Sequence, residues 1–135
     1  MWDFTIRETT FEELAPLRYS ARNEVDVAFK RDTKNTIWFL VDVEGDMVAC
    51  AGIISVRNNY EVVRFKAGYT LPEWRGQGFG NAIVDHMIWY TETKLPQCVE
   101  MQVFTTSPPF YAAKGWEFMG RSRPSEMHRF IDRSE

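Results

Sequence analysis

The run Arg75-Gly76-Gln77-Gly78-Phe79-Gly80 places glycine at alternate positions directly ahead of an apolar, helix-patterned stretch. Glycine takes backbone conformations that a β-carbon forbids, so a loop spaced this way can turn successive N–H groups onto an anion. The helix behind it contributes the positive end of its dipole and the unpaired N–H groups of its first turn. First turns ordinarily attract Asp or Glu, yet no acidic residue lies between Arg75 and Asn81, and the first on the helix side is Asp85. Such a turn suits a ligand that brings its own negative charge. The residues from Arg75 to Asn81 are therefore the candidate phosphate-holding loop.

Several chemistries use a glycine-rich loop before a helix, and spacing separates them. A nucleoside-triphosphate loop ends in Gly-Lys-Ser/Thr, which this chain lacks. A dinucleotide loop wants Gly-x-Gly-x-x-Gly close to the first strand, with an acidic residue about 20 positions on. Here the third glycine falls at 80 instead of 81, and the run sits past mid-chain. An ordinary glycine turn capping a helix is the plain alternative. The stretch Pro72-Glu73-Trp74-Arg75-Gly76-Gln77-Gly78-Phe79-Gly80 resembles instead the Arg/Gln-x-x-Gly-x-Gly/Ala acyl-coenzyme A loop of the GNAT superfamily of N-acyltransferases. Further on, Phe110-Tyr111-Ala112-Ala113-Lys114-Gly115-Trp116 is similar to that family's Phe-Tyr-x-x-x-Gly-Phe signature, with Trp116 in place of the usual Phe. Ser107 as N-cap, Pro108 and Pro109 in a first turn and Gly115 at the end make this segment a short helix.

The elements that must position these residues follow from length and periodicity. The chain has 135 residues, 44% hydrophobic and 15% aromatic, enough for one folded domain over 1–135 and too apolar for disorder. A net charge of −3 and no dense Lys/Arg run argue against a nonspecific grip on nucleic acid or an anionic membrane; Arg121, Arg123, Arg129 and Arg133 are diluted by Glu126, Asp132 and Glu135. Cys50 and Cys98 lie in apolar runs without Cys-x-x-Cys spacing and with only His86 and His128 as companions, so no metal site is expected. No stretch reads as a leader or an apolar span, and a cytoplasmic protein with reduced thiols is the simplest expectation.

Trp2 to Glu8 alternates as a strand. Thr10 and Glu13 read as a capping box opening a helix with Leu14, Leu17 and Ala21 on its apolar face and a bend at Pro16. From Arg22 to Asn35 the pattern fits a second short helix or a loop. Thr36–Val43 and Met47–Val56, joined by Glu44-Gly45-Asp46, read as an antiparallel hairpin, with a third strand from Val62 to Leu71 after Asn58-Asn59. Ile83, Val84, Met87 and Ile88 form the stripe of the helix behind the glycine loop. Cys98–Phe104 is another strand, and Glu117–Arg121 with Glu126–Ile131 closes as a hairpin.

That order is the order of the GNAT fold. The resemblance thus implies an α+β domain with a mostly antiparallel twisted sheet of about six to seven strands, about four helices and a splayed cleft beside the glycine loop. It further implies that the pantetheine arm of acetyl-CoA lies in the cleft like a surrogate strand, paired with the main chain of Tyr69-Thr70-Leu71. Gly68 just upstream is consistent with a bulge that opens the splay or with a simple packing concession. The implied activity is N-acetyl transfer from acetyl-CoA to a primary amine of a small molecule or polypeptide, by direct attack and without metal. The alternative is a non-catalytic module that binds an acyl-CoA or a protein. The matching tyrosine of the family points at the coenzyme sulfur. A thiol titrates near 8.5 and a tyrosine near 10, so Tyr111 is the candidate general acid for the leaving thiolate. Glu61 and Glu100 are candidate bases, with a chain of waters as the other option. Family members often carry an asparagine before the Tyr-bearing helix; here only Thr105, Thr106 and Ser107 stand there. Arg64 and Lys66 favour an acidic acceptor if they face its groove. A homodimer is compatible with all of this.

Overall fold

In the hairpin between the second and third strands, Glu44 and Gly45 form a two-residue turn with φ of 50° and 93°. Both are left-handed, as the type I′ connection that matches strand twist requires. The computed structural model describes residues 3–24, 35–120 and 125–133. The strands are β1 Phe4–Thr9, β2 Thr36–Val43, β3 Asp46–Arg57, β4 Val62–Thr70, β5 Glu100–Phe104, β6 Glu117–Phe118 and β7 Glu126–Phe130. The helices are α1 Ala15–Glu24, α2 Phe79–Lys94 and α3 Pro108–Ala112, with a 3-10 turn at Pro72–Trp74. The expected Trp2 lies outside the described residues, as do positions 25–34 of the Arg22–Asn35 stretch and Arg121 of the last hairpin.

All seven strands join one sheet in the order β1-β2-β3-β4-β5-β7-β6. Every pairing is antiparallel except β4 with β5, which the α2 crossover makes parallel. The hydrophobic pattern separates two layers. On one face Ile83, Val84, Met87 and Ile88 of α2 are buried with Phe39, Val63, Phe65, Met101 and Val103. On the other, Leu14, Leu17 and Ala21 pack on Trp38, Leu40, Cys50 and Tyr69. Burying such side chains stabilises by roughly 1.5–3 kcal/mol each.

Some details differ from expectation. The Thr10 hydroxyl does accept the Glu13 N–H at 3.1 Å, but the Glu13 carboxylate turns to Arg7 and Thr9 instead of closing a capping box. The α1 helix begins only at Ala15, so Pro16 falls in its first turn, where a missing N–H costs little, and it bends nothing. The about four helices expected correspond to three α-helices and one 3-10 turn among the described residues.

The main irregularity of the sheet is where β4 leaves β5. They pair only from Val62–Phe65 to Glu100–Val103, so β4 runs on to Thr70 with no strand on its β5 side. Opposite this free stretch, the β3–β4 ladder skips between Cys50 and Gly52, whose partners are Tyr69 and Lys66. Ala51 thus faces both Ala67 and Gly68, a bulge that bends the strand away. The left-handed residue of that bulge is Ala67, with φ of 57°, not Gly68. A β-carbon on Gly68 would touch nothing, so that glycine is no packing concession.

Candidate active site

The parting of β4 and β5 opens a cleft of ≈ 460 Å³. Lys66 to Thr70 form one wall and Phe104 to Ser107 the other; Gly80, Asn81 and Ile83 of α2 close one end and Phe110 and Tyr111 of α3 flank it. The lining combines apolar side chains such as Phe65, Met87 and Val103 with the hydroxyl-bearing Thr70, Thr105, Thr106 and Ser107.

Of the loop from Arg75 to Asn81, Gly80 and Asn81 line the cleft, and residues 75–79 do not. Gly76 and Gly78 have φ of 78° and 89°, which side-chain-bearing residues adopt only under strain. Gly78 is the N-cap of α2, no side chain caps the helix, and its first turn holds no acid. The first helical bond runs from the Ala82 N–H to the Gly78 carbonyl at 3.0 Å, so the N–H groups of Phe79, Gly80 and Asn81 precede the ladder. The Phe79 side chain is buried, edge-on to Phe4 and Trp74, and anchors the helix start. A helix start left with free backbone donors in this way has the chemistry to accept an anion.

Not every expected loop residue faces the cleft. Arg75 is held elsewhere: its Nη1 lies 2.6 Å and its Nη2 2.9 Å from the Glu24 carboxylate, while Nε donates to the Thr70 carbonyl at 2.9 Å. Arg75 and the Tyr69 hydroxyl, which donates at 2.8 Å, hold the Glu24 carboxyl below its usual range. The side-chain hydroxyl of Tyr69 therefore points to α1, bonded also to Ser20 at 2.7 Å, while the residue borders the cleft. The Leu71 N–H is spent on Val48 at 2.9 Å. Asn81 borders the cleft and accepts from Lys114 at 2.6 Å, and Lys114 also meets Asp85 at 2.7 Å, tying α3 to the first turns of α2.

Tyr111 stands where the two motifs meet. Its ring packs on Phe110 and Trp116 at 5.1 and 5.2 Å, and burial pushes its hydroxyl up to about 12. The Trp116 N–H closes on the Tyr111 carbonyl at 3.2 Å around left-handed Gly115, which fixes the helix end. Cys50 also borders the cleft, and burial pushes its thiol up to about 12, which holds it in the neutral form at neutral pH.

The structure brings neither candidate base to the cleft. Glu61 sits before β4 at the end remote from the split, about 16 Å from Lys66 at strand rise, and faces Arg57 and Asn58 at 3.7 and 3.3 Å. Glu100 meets His128 at 2.9 Å and Gln102 at 3.3 Å near the start of β5. Among the described residues no carboxylate or imidazole lines the cleft, and no group of three potential metal ligands occurs. Sequence reasoning missed Glu24 and Ser20, which sit in a stretch with no motif, and the Lys114 bridge, whose residue stood inside a quoted motif without a role.

The likeness to known proteins agrees with this geometry. A family model described as an acetyltransferase (GNAT) domain matches residues 34–118. No curated protein matches the sequence significantly. Among solved structures, the ribosomal-protein-S18-alanine N-acetyltransferase of Escherichia coli is similar at a TM-score of 0.78 and 14% identity, over 98% of this chain and 97% of that one. The spermidine N-acetyltransferase of Vibrio cholerae, in complex with CoA and spermine, gives 0.73 at 14% identity over 94% and 95%. The PaiA N-acetyltransferase of Thermoplasma acidophilum, in complex with coenzyme A, gives 0.73 at 10% identity over 96% and 99%. Identities this low speak for fold alone, whereas the family match covers most of the chain: this protein belongs to the GNAT acetyltransferase family.

Proposed function

We propose that the chain is an N-acetyltransferase carrying an acetyl group from acetyl-CoA to a primary amine by direct attack. The observation that carries this reading is the continuity of one cleft from the glycine-capped start of α2, along the unpaired edge of β4, to Tyr111. Backbone donors of Gly78 to Asn81 suit a diphosphate, and the free edge of β4 suits the amide groups of a pantetheine arm. That two structural relatives are N-acetyltransferases crystallised with coenzyme A supports the same donor.

The amine nitrogen adds to the thioester carbonyl carbon, the C–S bond breaks, and the leaving thiolate takes the Tyr111 proton. With its pKa near 12, Tyr111 is fully protonated at neutral pH and ready to donate. Its proton is then restored from solvent. The proton that the amine must lose passes to water, since no carboxylate or imidazole borders the cleft among the described residues. An acyl-cysteine route through Cys50 is disfavoured because burial keeps that thiol neutral.

Thiol release from acetyl-CoA over a panel of amines, peptides and nucleosides tests the reading. Release with at least one amine, falling in Tyr111→Phe, is expected. Binding of CoA without release for any acceptor would instead identify a non-catalytic module.

A further inference from the structure

We propose that Lys114 is a positioning residue for the transfer step: by clasping α3 to the first two turns of α2, it sets where the Tyr111 hydroxyl stands relative to the glycine-capped helix start. This rests on the transferase reading above and adds to it a residue that acts through Tyr111. The helix that carries Tyr111 cannot fix its own orientation. It spans only Pro108–Ala112, opens on two prolines and contains no buried residue, and a helix this short has little stability of its own in water. Its hold comes from neighbours. Beyond its C-terminal end the chain turns at left-handed Gly115 into Trp116, which is buried edge-on to Phe65 at 5.4 Å and to Tyr111 at 5.2 Å.

Lys114 supplies the tie to α2. It follows Phe110 by four residues and Tyr111 by three, spacings that bring side chains together on a helix. Its ammonium lies 4.8 Å from the ring centre of Phe110, 2.6 Å from Asn81 Oδ1 and 2.7 Å from Asp85 Oδ1. The Asn81 Nδ2 in turn donates to the other Asp85 oxygen at 3.4 Å, which keeps the amide oxygen toward the lysine. Phe110 packs edge-on to Tyr111 at 5.1 Å. One chain of contacts thus runs from the start of α2 through Lys114 and Phe110 to the Tyr111 ring.

Asn81, Phe110 and Tyr111 border the cleft, whereas Lys114 stands behind them with a side chain 15% exposed, against 56% for Asp85. Magnitudes separate a structural role from a positioning one. An ion pair with one partner this exposed contributes little to stability. Acyl transfer is far more sensitive to geometry, since a misplacement of about 1 Å can cost roughly 10²-fold in rate. The consequence of losing the bridge therefore falls on the rate.

The test is a double-mutant cycle on kcat for thiol release from acetyl-CoA, with the fastest acceptor of the amine, peptide and nucleoside panel. Lys114→Met keeps an unbranched side chain and removes the charge; it should lower kcat by roughly tenfold or more, with CoA affinity by calorimetry and the melting temperature little changed. Lys114→Arg, which keeps donors for both oxygens, should retain part of the lost rate. In Tyr111→Phe the same Lys114→Met change should cost almost nothing further, because the hydroxyl it positions is already gone. Asp85→Asn, at the exposed end of the bridge, should act in the same direction and carries the cycle if Lys114→Met is too unstable to assay. An unchanged kcat, an equal fold-loss in the parent and in Tyr111→Phe, or a loss that falls on CoA affinity instead of kcat overturns the inference with the transferase reading intact. A Tyr111→Phe variant as fast as the parent, or thiol release with no acceptor, overturns the role of Tyr111 and this inference with it.

Discussion

The Glu24 carboxylate grips the Arg75 guanidinium through both oxygens, at 2.6 and 2.9 Å, and so straps the end of α1 to the start of the glycine loop. The Arg75 side chain is thereby committed to Thr70 and Glu24, and in the proposed reading it would fix the loop's approach. Replacing either partner should weaken acetyl-CoA binding in the same direction, by roughly tenfold in KM. A double-mutant cycle of Glu24→Gln and Arg75→Ala should be strongly non-additive. The pair is solvent-screened, so thermal stability should move little. Tighter CoA binding in Glu24→Gln would mean that Arg75 had been released to meet the diphosphate directly.

Gly78 and Gly80 look alike in sequence and differ in need. Gly78 has φ of 89°, whereas Gly80 is an ordinary helical residue of the first turn of α2. Gly78→Ala should strain the N-cap by about 1 kcal/mol or more and displace the backbone donors, lowering CoA affinity well beyond its effect on stability. Gly80→Ala should raise stability by about 0.5–1 kcal/mol, as helix propensity dictates, with CoA affinity kept. Thermal melts and calorimetry on the two variants check this. Equal loss of affinity in both would contradict it.

The pH dependence has a defined sign. As the proposed general acid, Tyr111 would donate in its neutral form, and its pKa, pushed up to about 12 by burial, keeps it neutral far above pH 8. Activity should rise with pH as the acceptor amine loses its proton, with no descending limb from Tyr111 below about pH 10. Tyr111→Phe should lower kcat by about 10²-fold to 10⁴-fold and leave CoA binding in place. A falling limb between pH 7 and 9 that vanishes in Tyr111→Phe would show that the hydroxyl titrates much lower.

Cys50 makes a separate prediction about stability. Its folded pKa, near 12, lies above the ordinary thiol range, so the native state favours the neutral thiol more than the unfolded chain does. The associated stability is fully present below about pH 8.5 and is lost progressively as the pH climbs toward 12. Urea midpoints measured from pH 8 to 11 should therefore fall less steeply in Cys50→Ala than in the parent, whatever the cost of the small cavity at neutral pH. Parallel curves would contradict the burial of that thiol.

Periodicity and two short motifs made most of the architecture legible. The stripe Ile83, Val84, Met87 and Ile88, the turn at Glu44-Gly45 and the short helix bearing Tyr111 all follow from local rules. The bulge was legible only to within one residue, because a left-handed conformation at Ala67 defies the usual preference for glycine next door at Gly68. Glu61 was drawn into the site by its charge and strand position, yet the cleft opens at the other end of β4, which only the pairing register reveals. The clasp of Ser20, Tyr69, Glu24 and Arg75 joins residues far apart in the chain, and no spacing announces it.

The most direct test is a calorimetric titration of coenzyme A into the parent protein and into Gly78→Ala. One site per chain is expected in the parent, with affinity reduced roughly tenfold or more in the variant. No heat of binding in the parent, or the same affinity in both, would show that the turn at Gly78 is a helix cap and nothing else.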